Sequence, residues 1–415
     1  MTVPTRWVAT DNDLGAVVDA VLDHPEYAID TEFLRERTYF PQLALVQIAW
    51  PGHIALIDPL AVDVRPLDRL LRSDRLGVLH ACDQDLEVLY LACGTGPARI
   101  FDTQLAAGFV GFTTPSLSTL AERLLGLHLS KGDRLTDWTQ RPLTPAQRRY
   151  AAADVAHLLE MKALLVEQLE RSGRLGWAED ECELVLQRPR TNSVPERAWW
   201  KLKDGRVLRG ADRLVAQELA AWREQKARDL DRPSRFIIPD LGIVTIAQSR
   251  PATTEALGSL RGLDGRFARG ALAGEILDAV ARGSALPASA LLLPETDEFD
   301  RRLRPALTLV SAWVAQLAKD AKIDATLLAT RSDLASFLRG DEHARLATGW
   351  REGLVGQAVR DLVDGHAALG FAANGSLVLE RRSGVSLAPE VTLPDAPWVD
   401  EAVAASGETV ELSVD

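Results

Sequence analysis

The segment Tyr27-Ala28-Ile29-Asp30-Thr31-Glu32-Phe33 places two carboxylates inside a short apolar run. Such a run predicts a β-strand, and side chains two apart on a strand share a face. Asp30 and Glu32 then stand side by side, with Ile29 and Phe33 on the opposite face to be buried. Adjacent carboxylates in an apolar strand repel one another and lose hydration, a burden that a divalent cation between them relieves. The competing reading is a solvated strand end with two acids on its wet face.

Two further segments carry acids where chemistry is possible. Leu79-His80-Ala81-Cys82-Asp83-Gln84-Asp85-Leu86 runs from a strand through a turn into a helix. Asp85 could serve a site there, or simply favour the helix N-terminus through the dipole, as could Asp83. In Tyr150-Ala151-Ala152-Ala153-Asp154 the phenol and the carboxylate are four apart, so on a helix they project together. The alternative is a core tyrosine with an acid on the rim.

The elements that must position these groups read as alternating strands and helices. Short apolar runs predict strands at Tyr27–Phe33, Leu43–Trp50, Ile54–Asp58 and Gly77–Cys82, with helices at Leu86–Ala92 and Ser116–Leu125. Thr144, Pro145 and Gln147 form a capping-box start for a helix running to about Arg171, with Gly173 near its end. This alternation implies an α/β domain with a mixed central sheet flanked by helices over residues 1–175. The acidic Glu179–Glu183 stretch and Pro189 suggest a linker over 176–192. Residues 193–283 and 299–383 read as short helices separated by Gly and Pro breaks, joined by a linker over 284–298. Residues 384–415 hold seven acidic and no basic side chains and read as a disordered acidic tail.

Composition narrows the class. A chain of 415 residues exceeds one ordinary core. No apolar run approaches the roughly 20 residues of a membrane span, and the N-terminus lacks a secretory pattern, so a cytoplasmic protein without membrane partners is expected. Cys82, Cys93 and Cys182 are far apart and form no Cys-x-x-Cys pair, which argues against thiolate zinc. The net charge of −12 opposes nucleic-acid binding at first sight, but residues 193–283 hold sixteen basic against twelve acidic side chains. No Gly-x-x-x-x-Gly-Lys-Ser/Thr loop is present, so the chain is not itself a helicase.

Together the Asp-x-Glu strand, the strand-turn-Asp and the Tyr-x-x-x-Asp helix resemble the three motifs of the DEDD exonuclease superfamily, tyrosine subclass. The stretches Asp30–Phe33, Arg37–Pro41, Leu43–Ile48, His80–Leu86, Leu129–Trp138 and Arg141–Leu143 resemble ribonuclease D. Residues 193–283 resemble the helicase-and-RNase-D C-terminal (HRDC) module, and 299–383 look like a second, diverged copy. The resemblance implies a ribonuclease H-like exonuclease domain followed by two all-α HRDC-like domains.

It also implies a 3′→5′ exoribonuclease that releases nucleoside 5′-monophosphates from single-stranded RNA ends, with precursor tRNA 3′ ends as the implied substrate. Two divalent cations, Mg²⁺ or Mn²⁺, about 4 Å apart would activate the water and offset charge on the leaving 3′ oxygen. By the resemblance Asp30 bridges both ions, Glu32 and Asp154 complete the nucleophile side, and Asp85 holds the second ion. Tyr150 positions the water, since a phenol with a pKa near 10 is a poor base at neutral pH. Tyr39 and Gln42 are expected to line the substrate groove. Trp138 either stacks on a base or packs against the Pro142 loop. His80 and His157 take core or supporting roles. Lys201, Lys203 and Arg206, with Arg209, Arg213, Trp199 and Trp200, form a possible RNA clamp, although both tryptophans also suit a helix core. No stable protein partner is expected. The rival readings are a single-stranded DNA exonuclease of the same fold and a non-catalytic RNA-binding scaffold.

Overall fold

In β2 (Glu26–Leu34) and β3 (Gln42–Trp50) nearly every side chain is buried or half-buried, as expected of strands covered on both faces. With β1 (Thr5–Val8), β4 (His53–Ile57), β5 (Leu76–Leu79) and β6 (Arg99–Asp102) they form one mixed sheet, ordered β1-β4-β3-β2-β5-β6. β2 and β3 are antiparallel, while β2, β5 and β6 run parallel. The computed structural model describes residues 4–129, 136–190, 194–293 and 303–383. The expected acidic tail, residues 294–298 of the second expected linker, and residues 130–135 of the Leu129–Trp138 stretch lie outside these.

One face of the sheet is closed by α1 (Asp11–Leu22), the single turn α2 (Asp68–Leu71) and α3 (Asp83–Cys93). Leu14, Val17, Val21, Ile29, Val46, Ile48, Ile57, Leu86 and Leu89 meet there in one core. Fully burying an aliphatic side chain of this size contributes about 1.5–3 kcal/mol. After α4 (Thr103–Gly108) and α5 (Leu117–Leu125) the chain crosses to the other face as α6 (Pro145–Ala156) and α7 (Leu158–Arg171). The expected single helix from Thr144 is therefore two helices. His157 leaves helical geometry at φ −118° and ψ 4°, so α6 covers β2, β3 and β4 while α7 runs along β2 and β5.

The expected 176–192 linker is largely a helix, α8 (Leu175–Leu186). Its acids hid an apolar stripe: Ala178, Cys182 and Val185 are buried, and the helix packs on β6. Strands β1 and β6 were not anticipated, because four residues give too short a pattern.

The next helical region comprises α9 (Ala211–Asp229), α10 (Ser234–Ile237), α11 (Asp240–Ser249), α12 (Thr254–Gly258) and α13 (Gly270–Ala285) around Val215, Leu219, Ile243, Ile246, Phe267 and Ile276. Gly283 lets α13 approach α9, since a Cβ there would lie 2.6 Å from Val215 Cα. Then follow α14 (Arg304–Ala321), α15 (Ala325–Leu328), α16 (Arg331–Leu338) and α17 (Gly349–Arg351). This part docks on the sheet domain through buried polar contacts. Glu181 of α8 pairs with Arg351 and Arg345, and the Arg174 guanidinium donates to the carbonyls of Phe109 and Ala321 at 2.7 and 2.8 Å. The Trp177 and Trp350 rings stack with centroids 4.8 Å apart.

Residues from Ala358 onward form a separate unit. There α18 (Gln357–Val363) leads to a hairpin of β7 (Ala367–Phe371) and β8 (Leu377–Arg381), strands absent from the helical expectation for 299–383.

Candidate active site

The chain turns sharply after β5. The strand was expected to reach Cys82, but it ends at Leu79, and Ala81 adopts a left-handed φ of 60°. The buried Asp102 carboxylate holds that turn, accepting the N–H groups of Ala81 and Cys82 at 3.0 and 2.9 Å. It also caps α4, accepting from Gln104 and Leu105 at 2.8 and 3.2 Å. This brace delivers the first turn of α3, and with it Asp85, to the middle of the sheet. The last β2–β5 pair is Ala28 with Val78. Beyond it, Thr31 donates its N–H and its hydroxyl to Asp85 Oδ1 at 3.2 and 2.5 Å. Nothing in the sequence flagged Asp102 or Thr31 as supports.

From the opposite face comes α6. Its capping box is formed as expected, with the Thr144 side chain accepting from Gln147 N–H and Gln147 Oε1 accepting from Thr144 N–H. Ala151 and Val155 are buried, and Tyr150 and Asp154 are half-buried. Asp30, Glu32 and Asp154 each offer a carboxylate oxygen, and these oxygens lie within 4.8 Å of one another. Among the described residues this is the one group of His, Cys, Asp and Glu so clustered.

The electrostatics agree with that geometry. Burial, followed by the charges of Asp85, Asp154 and Glu32, raises the Asp30 carboxyl well above the usual carboxylate range, against a Thr31 backbone hydrogen bond that lowers it. Burial also pushes Asp85 up to about 6, opposed by its bonds from Thr31. Acids held close together out of water favour either protonation or a bound cation. The donors are all oxygen, which suits a hard divalent ion.

The other expected site residues are placed as follows. Trp138 is 3% exposed and lies against Tyr150, with centroids 6.0 Å apart, a packed position. Arg141 anchors the same loop, donating from Nε and a terminal nitrogen to Asp58, each at 2.7 Å, and to the Trp138 carbonyl at 2.7 Å. Tyr39 is half-buried and held by α9. Its hydroxyl donates to Glu224 at 2.5 Å and accepts from Arg228 at 2.9 Å, both on α9. Gln42 is exposed at the start of β3.

Lys201, Lys203 and Arg206 are exposed on the short turns before α9, remote in sequence from the carboxylates. Trp199 is core, and the indoles of Trp199 and Trp200 both donate to the Leu292 carbonyl, at 3.0 and 2.8 Å. Both ring nitrogens of His80 are engaged, with Thr103 and the Pro115 carbonyl, and burial lowers its pKa. His157 marks the α6–α7 break beside Glu160.

Comparison with known proteins places this geometry. The ribonuclease D of Gluconacetobacter diazotrophicus is 36% identical over 88% of this chain and 94% of its own length. The chain belongs to the ribonuclease D family. Escherichia coli ribonuclease D is likewise 36% identical, over 86% of this chain and 98% of its own. The crystal structure of E. coli RNase D, described as an exoribonuclease involved in structured RNA processing, superposes with a TM-score of 0.78, at 34% identity over 88% of this chain and 99% of that one. A 3′-5′ exonuclease family model matches residues 5–170, and an HRDC domain model matches residues 212–280. As a ribonuclease D family member the chain is a hydrolase of the 3′→5′ exoribonuclease class.

Proposed function

We propose that this ribonuclease D family enzyme removes nucleoside 5′-monophosphates singly from single-stranded RNA 3′ ends by two-metal-ion hydrolysis, with precursor tRNA 3′ ends among its substrates. The observation that carries the reading is the convergence of Asp30, Glu32 and Asp154, from β2 and α6, within 4.8 Å, on the strand to which Asp85 is tied through Thr31.

Asp30, Glu32, Asp85 and Asp154 would hold the ions. Bound Mg²⁺ or Mn²⁺ supplies acidification of the attacking water and neutralisation of charge on the phosphate and the departing 3′ oxygen. Tyr150 orients the water by a hydrogen bond from its position four residues before Asp154. Burial around Asp30 and Asp85 keeps bulk water from screening these charges. Lys201, Lys203 and Arg206 take the RNA backbone farther from the scissile bond, and 299–383 serves as a second HRDC-like module. The enzyme acts in the cytoplasm without a stable protein partner. No helix of the described residues is long and apolar enough to cross a membrane.

The test is digestion of matched single-stranded RNA and DNA oligomers, with free or blocked 3′ ends, after EDTA treatment and re-addition of Mg²⁺ or Mn²⁺. Expected are 5′-monophosphates from RNA with a free 3′ end, and none from blocked RNA or without a cation. Equal digestion of DNA would overturn the RNA preference. No mononucleotide from any substrate would overturn the reading as a whole.

A further inference from the structure

Gln47, at the middle of β3, is fully buried, yet among the described residues neither its amide nitrogen nor its amide oxygen has a hydrogen-bond partner. A primary amide carries two donors and an acceptor with two lone pairs. Leaving it dry and unpaired costs more than an apolar side chain of the same shape would. Neighbouring positions follow the ordinary rule for a covered strand: Leu45, Val46 and Ile48 are all buried and apolar. The exception has a location. In the β2–β3 ladder Gln47 stands directly opposite Asp30, and Leu45 directly opposite Glu32. Directly opposed antiparallel residues share a face, with Cβ atoms about 4.5–5.5 Å apart. Gln47 therefore lies on the carboxylate face, in the strand that α6 covers, and its side chain is long enough to reach the carboxylate of Asp30.

We propose that Gln47 is a positioning residue for the metal centre. Its amide N–H donates to the Asp30 oxygen that does not face the cation and fixes that carboxylate in its ligating rotamer. Asp85 already has an equivalent support in Thr31. Groups that hold a ligand from behind in this way ordinarily govern metal affinity as well as activity. The inference rests on the two-cation reading above and adds a residue to it. It explains why a polar side chain stands where the strand asks for an aliphatic one.

The experiment uses the full chain with Gln47→Met, a near match in shape without the amide, and Gln47→Leu alongside it to control for packing. Calorimetric titration with Mn²⁺ and thermal unfolding in EDTA are the two readouts. Both variants are expected to unfold at a higher temperature than wild type without metal, and to bind Mn²⁺ roughly 10- to 100-fold more weakly, so the stabilisation by added Mn²⁺ shrinks. Wild-type affinity in both variants overturns the proposal, as does a lower metal-free unfolding temperature in both, which is what a merely structural amide would give. If wild type itself binds no Mn²⁺, the two-cation reading falls and this inference falls with it. That outcome is distinct from unchanged binding in the variants.

Discussion

Asp85→Asn removes one buried negative charge while keeping an oxygen to accept from the N–H and hydroxyl of Thr31. Burial holds the Asp85 carboxyl at about 6 against an ordinary 3.8, which corresponds to about 3 kcal/mol of destabilisation when the group is ionised. The folded protein binds this proton more tightly than the unfolded chain does. The contribution of Asp85 to metal-free stability therefore falls as pH rises from about 4 through about 6, and levels off above. Asn has no proton to lose, so the variant escapes that fall. In EDTA at pH 7.5, Asp85→Asn is expected to be more stable than wild type by up to about 3 kcal/mol, with the difference closing near pH 4. Urea denaturation followed by tryptophan fluorescence at pH 4, 5, 6 and 7.5 reads this directly. The same variant should lose turnover, so stability and activity move in opposite directions. A less stable variant at pH 7.5, or a difference that does not change with pH, would refute the reasoning.

Asp30→Asn should abolish mononucleotide release while leaving RNA binding, measured by filter retention, largely intact; loss of binding to the same degree would count against a metal-holding role. Tyr150→Phe should slow turnover by about ten- to a hundredfold, less than Asp30→Asn, because positioning is a smaller contribution than the metal centre. Equal losses in a single-turnover assay would contradict that assignment. Glu181→Gln leaves the buried Arg351 guanidinium without its counter-charge and should cost about 3–5 kcal/mol, seen as early proteolytic release of residues beyond 303. Asp231→Ala removes the acceptor of the Tyr39 and Phe40 N–H groups, both at 3.0 Å, and should raise KM for RNA with little change in kcat.

The carboxylate strand, the turn before Asp85 and the capped Tyr-x-x-x-Asp helix were legible because each is local: alternation fixes a strand face, and a capping box fixes where a helix begins. What failed to show was set by distant partners. The acids of α8 masked a stripe only three residues wide, and Glu181 among them is buried because Arg351, far along the chain, neutralises it. Trp138 offered two roles in sequence, and its packed place beside Tyr150 depends on a helix that its own segment does not reveal. Tyr39 carried no sign that α9 would claim its hydroxyl. Asp102 and Gln47 act through a backbone turn and a cross-strand register, neither of which leaves a pattern in one segment.

The grip of α9 and the turn after it on the Tyr39–Phe40 loop bears on how this enzyme can be divided. A fragment ending near residue 190 would retain all four acids, yet it would lose Glu224, Arg228 and Asp231, which clasp the chain just after it leaves the carboxylate-bearing strand. Helical regions exchanged between relatives would have to bring matching partners for that loop, so the nuclease core and its first appendage are tied together at the carboxylate strand's exit loop.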